Sequence, residues 1–377
     1  MSDGRSSRFK ILKMSKKIYL QLEDGTIYEG SSFGAPLIKN VIAEVVFTTA
    51  MTGYVETLTD PSYYGQMLVQ TFPLVGNYGI NPYDYESKKL HISAYIVHEY
   101  CPNPSNFRSR FDLDKFLIEN NIPGICNVDT RALTKKIRSN GVMIGCLCTS
   151  PLSHKELTTL KNWKITEAVK HVSTTSLTRF YSSLPKHHVV LWDFGAKENI
   201  LRSLLHLNCD VTVVPASTTC NEILSLKPDG IILSNGPGDP KDNVTILLEL
   251  QKLCACDIPI FGICLGHQLL ALANGGDTEK MKYGHRGSNQ PVKDTKTEKT
   301  YITSQNHGYA VKTYRIPPFS NISFINVNDH TCEGIEYHLF PGFSVQFHPE
   351  ACGGPHDTEF LFHKFIDLME GVKETCH

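Results

Sequence analysis

No apolar run in this chain is long enough to cross a bilayer, and no apolar stretch of the secretory type follows its first residues. A membrane span and an exported, disulfide-stapled fold are therefore not expected. Charge of one sign is missing as well, since 37 Lys and Arg stand against 38 Asp and Glu for a formal net charge of -1. That balance gives no general reason to bind nucleic acid or an acidic membrane. The 12 cysteines contain no Cys-x-x-Cys pair, so a zinc framework finds little support and no metal site is expected. Reduced thiols and a cytoplasmic chain are the default reading. No G-x-x-x-x-G-K-[ST] run occurs either, which removes the usual phosphate-cradling loop.

What remains is an ordinary globular composition, 41% apolar and 20% charged, over 377 residues. That length suits two domains. Residues 1–17 carry six Lys and Arg against one acid and read as a solvated basic tail. From 18 to 150 the chain opens with Ile18-Tyr-Leu-Gln-Leu, the turn Asp24-Gly25 and Thr26-Ile-Tyr, a hairpin signal. Strand-like runs follow at 41–49, 67–72 and 91–98, with a helix at 131–137 capped by Asp129 or Thr130, so this part reads as a strand-rich α+β domain. Alternation in Val142 to Cys148 puts Cys146 and Cys148 on one face of a strand, where burial explains them.

Residues 151–186 are rich in Ser, Thr and Lys and read as a linker region with a short helix after Ser153. From 187 to 377 the grammar becomes strand-helix alternation. Strands are expected at 189–192, 211–214, 230–233 and 258–263, and helices up to 207, at 222–226 and at 245–253. This predicts an α/β domain with a mostly parallel, doubly wound sheet.

In such sheets ligands sit beyond the carboxyl ends of the strands, and two loops lie there. Phe261-Gly-Ile-Cys264-Leu-Gly-His267-Gln268 places one cysteine between two glycines, at a junction of strand and helix. The turn is tight, and the free N–H groups and dipole of the helix N-terminus are expected to favour the thiolate. A buried core cysteine is the bland alternative. Ser234-Asn-Gly236-Pro-Gly238-Asp-Pro is a rigid loop able to aim backbone N–H groups outward, or simply a turn. Phe343 to Phe347 alternates like a late strand and delivers His348, Pro349 and Glu350. Period two lets His348 and Glu350 point the same way, so the carboxylate can orient an imidazole base for Cys264.

GICLGHQ at 262–268, SNGPGDP at 234–240 and FHPE at 347–350 match, in order and spacing, the class I or triad-type glutamine amidotransferases. The runs 194–202, 305–310 and 350–357 further resemble the small, glutaminase subunit of carbamoyl-phosphate synthetase. So do Glu44 to Tyr54, Leu58 to Ser62 and Gly76 to Gly79 in the first half. The resemblance covers nearly the whole chain from about Ile18.

It implies that Cys264 attacks the side-chain amide of L-glutamine, with His348 as proton carrier and Glu350 as its orienting group. The main-chain N–H groups of Gly236 and Leu265 correspond to the oxyanion donors. Glutamine recognition maps onto Gly236, Gly238, Leu265, Gln268, Asn306, Gly308 and Tyr309. Ala50 stands where some members carry a substrate-contacting serine, which leaves only backbone contact there. No cofactor is implied for this chain. The resemblance implies a hetero-oligomer in which a large synthetase subunit takes ammonia through an internal passage and uses bicarbonate and ATP, with its metal, to make carbamoyl phosphate. The residues 18–150 would then serve chiefly that interface. Two other readings stay open: a glutaminase serving a different synthetase, and a non-catalytic glutamine-binding scaffold.

Overall fold

The computed structural model describes residues 16–351 and 353–375. The expected basic tail falls, up to residue 15, outside them, and Lys17 already begins the first strand. Among the described residues nine strands precede residue 150: β1 (Lys17–Leu22), β2 (Ile27–Gly34), β3 (Val41–Thr48), β4 (Gln66–Gln70), β5 (Leu74–Val75), β6 (Ala94–Ile96), β7 (Glu99–Tyr100), β8 (Pro123–Cys126) and β9 (Met143–Cys148). Seven of them close into a barrel in the order β1-β2-β8-β6-β4-β3-β9, while β5 and β7 form a separate ladder. The β1–β2 hairpin turns where Asp24-Gly25 stands.

Period two explains why these strands read as nearly continuous apolar runs. Val45, Met67, Ala94 and Ile96 join one core with Leu133 and Ile137 of the helix Thr130–Asn140. Their neighbours Val46, Leu68 and Tyr95 join another with Leu58, Phe116 and Leu117. Both faces of the barrel wall are thus covered. Cys146 and Cys148 are fully buried with Leu160, as their alternation suggests.

The chain then forms the helix His154–Leu160, started by a capping box between Ser153 and Glu156. Ten further strands follow: β10 (Thr178–Phe180), β11 (His187–Asp193), β12 (Cys209–Pro215), β13 (Gly230–Leu233), β14 (Ile260–Ile263), β15 (Thr278–Asp294), β16 (Thr300–Val311), β17 (Ser320–Asn326), β18 (Cys332–Tyr337) and β19 (Gly342–Val345). They make one sheet in the order β10-β12-β11-β13-β14-β19-β18-β16-β15-β17.

Its parallel core, β12-β11-β13-β14-β19, is doubly wound as expected. Val190, Trp192, Ile231 and Leu233 face the helices Cys220–Ser225, Val244–Leu253 and Leu265–Ala273. Val189, Leu191, Ile232 and Phe261 face Glu198–His206 and Phe360–Thr375. The expectation of a mostly parallel sheet needs correction, because β10, β15, β16, β17 and β18 are antiparallel additions that make up half of it. Among the described residues no helix is long and apolar enough to cross a membrane.

Candidate active site

Strand β14 ends at Ile263, and the next residue, Cys264, has φ 52° and ψ −101° before the helix Leu265–Ala273 begins. Such a backbone costs a non-glycine residue about 1–3 kcal/mol and persists only where its surroundings hold it. Here the Cys264 N–H donates to the Val345 carbonyl at 2.8 Å, and the Gly266 N–H to the Ser234 carbonyl at 3.0 Å. A Cβ on Gly266 would stand 2.3 Å from the Leu233 carbonyl oxygen, so only glycine lets the helix start this close to β13. Gly236 is as crowded, with Phe194 O 2.3 Å from the place of a Cβ and the Leu265 side chain at 2.7 Å. The rigid loop and the cysteine turn are therefore packed against each other.

The residues after β19 bring the second group. His348 donates its backbone N–H to Ser304 O at 3.0 Å, and its Nδ1 lies 2.6 Å from Glu350 Oε1. A carboxylate only accepts, so Nδ1 carries the proton. His348 Nε2 is buried without a hydrogen-bond partner, which leaves a free lone pair on the ring. Cys264, His348 and Glu350 are all buried.

Glu350 lies in a charged cluster. Lys197 Nζ is 3.3 Å from Glu350 Oε1 and 3.9 Å from Asp60 Oδ2. Asp60 also accepts from Asn306 Nδ2 at 2.9 Å, and Glu86 accepts the Asn199 N–H at 3.1 Å. Burial alone would raise the Glu350 carboxyl, but the neighbouring His348 and Lys197 outweigh it and hold it down to about 2. Burial likewise opposes the charge on Lys197, yet Asp60, Glu350 and Glu86 together push its pKa up.

The Cys264 thiol moves against the expectation drawn from the turn. Burial, then the Asp60 charge, raises its pKa strongly, and Lys197 and the Leu265 N–H oppose this only in part. Its Sγ donates to Asn306 O at 3.7 Å. A helix start favours a thiolate, but burial beside carboxylates favours the thiol.

Two cavities meet at this point, with Asn306 lining both. One, of about 460 Å³, is lined by Cys264, Gly236, Gly238, Gln268, Gly308 and Tyr309. The other, of about 60 Å³, holds His348, Lys197 and Asp60, together with Thr48, Ala50, Glu56 and Glu86 from the barrel half. Most of the residues matched to glutamine recognition therefore surround Cys264. Leu265 presents its N–H to the sulfur, and Gln268 Nε2 donates to Tyr309 O at 2.8 Å and to Gln346 Oε1 at 2.9 Å. Ala50 stands apart. It lines the smaller cavity, its N–H reaches Thr48 Oγ1 at 3.3 Å, and its carbonyl accepts from Gln70 Nε2 at 2.6 Å. Both backbone groups of Ala50 thus have a partner within the chain, and the carbonyl keeps a second lone pair.

Lys197, Asp60 and Glu86 were given no role by the sequence reading. For Asp60 and Lys197 the one signal is that runs 58–62 and 194–202 carry the family resemblance, and Glu86 lies in neither. The charges show their purpose only when two distant segments meet. Burial pushes Glu86 and Glu56 up to about 7, above the ordinary 4.5. A carboxyl raised on folding adds stability that is full below about 4.5 and is lost as pH rises through about 7. Glu86→Gln keeps an acceptor for Asn199 and is expected to flatten the fall of the melting temperature between pH 5 and 8. An unchanged slope in thermal scans would contradict this.

A model of the class-I glutamine amidotransferase family matches residues 190–368, and one for the CPSase domain of the carbamoyl-phosphate synthase small chain matches residues 20–147. A carbamoyl phosphate synthase small chain of Bacillus thuringiensis is 50% identical over 360 residues, which span 95% of this chain and 97% of that one. The chain belongs to the carbamoyl phosphate synthase small chain family. A second member, from Syntrophotalea carbinolica, is 47% identical over 378 residues, covering 95% and 99% of the two chains. Among solved structures, a putative GMP synthase subunit from Thermoplasma acidophilum is similar with a TM-score of 0.44 and 22% identity, over 50% of this chain and 96% of that one. The small chain model falls on the barrel, and the amidotransferase model falls on the ten-stranded sheet.

Proposed function

We propose that this chain is the glutaminase subunit of a carbamoyl phosphate synthase and that Cys264, His348 and Glu350 carry out the hydrolysis. The observation that supports this most directly is the free Nε2 of His348, held by Glu350 beside the pocket of a strained cysteine. His348 takes the thiol proton as Sγ bonds to the side-chain amide carbon of glutamine. The N–H groups of Gly236 and Leu265 receive the oxyanion, an interaction whose loss typically costs about 3–4 kcal/mol. The imidazolium then protonates the amide nitrogen, the C–N bond breaks, and ammonia leaves a γ-glutamyl thioester. Water, deprotonated by the same ring, cleaves the C–S bond and frees glutamate and the thiol.

The raised thiol explains why a base is needed. Sγ donates to Asn306 O, so attack requires the thiol to turn towards His348. Glutamine occupies the larger cavity, while ammonia departs by the smaller one, whose walls come partly from the barrel. That assigns residues 18–150 to delivery towards a large synthetase subunit, which supplies ATP and its metal ions in a cytoplasmic hetero-oligomer. Residues 151–186 link this domain to the glutaminase domain, 187–377, whose own chemistry uses no cofactor.

The test is glutamate release by the purified chain with and without a large synthetase subunit. Stimulation by the partner and a γ-glutamyl adduct on Cys264 after acid quench are expected. Absence of both with the partner present would end the proposal.

A further inference from the structure

A second buried polar cluster lies behind the strand that carries Asn306, and the glutaminase chemistry makes no use of it. His285 on β15 pairs with His307 on β16, and Glu333 on β18 completes the group. One ligand atom from each of the three lies within 4.8 Å of the others, and all three residues are buried. Gln305 Oε1 sits among them, 2.9 Å from His285 Nδ1 and 3.0 Å from His307 Nε2.

The protons do not balance if these groups are closed by hydrogen bonds alone. His307 Nδ1 is 2.8 Å from the Tyr309 carbonyl, so it must carry the hydrogen, and Nε2 of the neutral ring is a lone pair. That lone pair faces Gln305 Oε1, which is another acceptor. Turning the amide over satisfies both imidazoles but brings its oxygen to 3.0 Å from Glu333 Oε2. One acceptor pair survives in either orientation unless a positive charge is added. A buried conflict of this kind is costly, so something supplies that charge.

Both rings are also arranged as metal ligands are. His285 Nε2 is 2.8 Å from Asp329 Oδ2, and His307 Nδ1 bonds the Tyr309 carbonyl, so each imidazole is held from outside at one nitrogen. The inward nitrogens, His285 Nδ1 and His307 Nε2, converge with Glu333 and the Gln305 oxygen, and a bound cation would take the place of any proton on them. The rings stand nearly perpendicular, at 87° with centroids 5.0 Å apart, so two lone pairs reach one point without stacking. Two imidazole nitrogens and two oxygens are a four-coordinate set that suits zinc, with metal–ligand distances of about 2.0–2.2 Å. From the 4.8 Å limit, the widest pair would close by at most roughly 1.4 Å.

We propose that His285, His307, Glu333 and Gln305 bind one structural zinc ion that clamps the Gln305–Tyr309 segment behind the glutamine cavity. Cysteine spacing gave no hint of it, because the ligands come from three strands of the antiparallel addition. The inference stands whether or not the chain hydrolyses glutamine.

The experiment uses the full chain, stripped with a chelator and titrated with zinc alone. About one zinc per chain is expected, with a raised melting temperature. Asp329 is exposed, so Asp329→Asn leaves the fold intact and is expected to weaken zinc binding about 10–100-fold. Glu333→Gln should weaken it further. Cobalt(II) in the same site should show ligand-field bands without thiolate charge transfer. A thiolate band, zinc binding unaltered in Asp329→Asn and Glu333→Gln, or a stripped chain that binds no zinc would overturn the proposal; in the last case a proton closes the network.

Discussion

Cys264→Ser is expected to lower glutamate release by roughly 10⁴-fold or more while leaving the fold and glutamine binding in place. The substitution changes one atom, so the cavity, the strained turn and the carbonyl of Asn306 that receives the thiol proton are all retained. What changes is the nucleophile. Burial and the Asp60 charge already hold the cysteine as a thiol, and a hydroxyl in the same surroundings is harder still to deprotonate. One imidazole cannot make up that difference. Calorimetry with glutamine should show binding like that of the unaltered chain, and quenched reactions should show no γ-glutamyl adduct. Retention of more than about 1% of the rate would mean that Cys264 is not the nucleophile.

The turn that delivers Cys264 was legible in the sequence because an apolar strand and an apolar helix seldom meet at a cysteine with a glycine close on each side unless the junction must be tight. His348 and Glu350 were legible as a pair, but β19 ends at Val345, and a turn that places the Ala351 N–H on the His348 carbonyl, not strand alternation, brings the two side chains together. The parallel strands announced themselves through runs such as Val189 to Trp192, buried on both faces. The antiparallel half of that sheet did not. Strand β15 reads Thr-Glu-Lys-Met-Lys-Tyr-Gly-His-Arg-Gly-Ser-Asn-Gln-Pro-Val-Lys-Asp, with few apolar residues, two glycines and a proline. Its register also shifts twice against β16, so no period of two survives to be read. The barrel stayed hidden as well, since closure depends on β9 pairing with β1 and nothing in either strand specifies that partner. Burial and the charge of Asp60, which raise the Cys264 thiol, come from distant segments and leave no mark on the local pattern of the helix end.

Lys197→Met is expected to cost about 3–5 kcal/mol of folding stability at neutral pH, the range for removing one partner from a buried ionic cluster. Methionine fills a similar volume, so little of this would come from packing. The cost would come from Glu350 and Asp60, left in a buried site without the cation 3.3 and 3.9 Å away. Its sign with pH follows from the same groups. In the unaltered chain Glu350 is held at about 2, so its contribution is present above the ordinary carboxylate range and is lost only as pH falls through about 2. Without Lys197 the Glu350 carboxyl moves upward, and protonation in mild acid removes its uncompensated charge. The variant should therefore lie closer to the unaltered chain at pH 5 than at pH 8 in denaturant unfolding. Glutamate release should move the opposite way, losing more at pH 5 than at pH 8, because a protonated Glu350 cannot orient His348 as a carboxylate does. A loss smaller than about 1 kcal/mol at both pH values would show that the cluster is neutral in the folded chain, with its protons held by the carboxylates themselves. The barrel's Asp60 and Glu86 would then touch the site by shape alone, whereas a large, pH-dependent loss would mean that the two halves of the chain are joined through one buried charge.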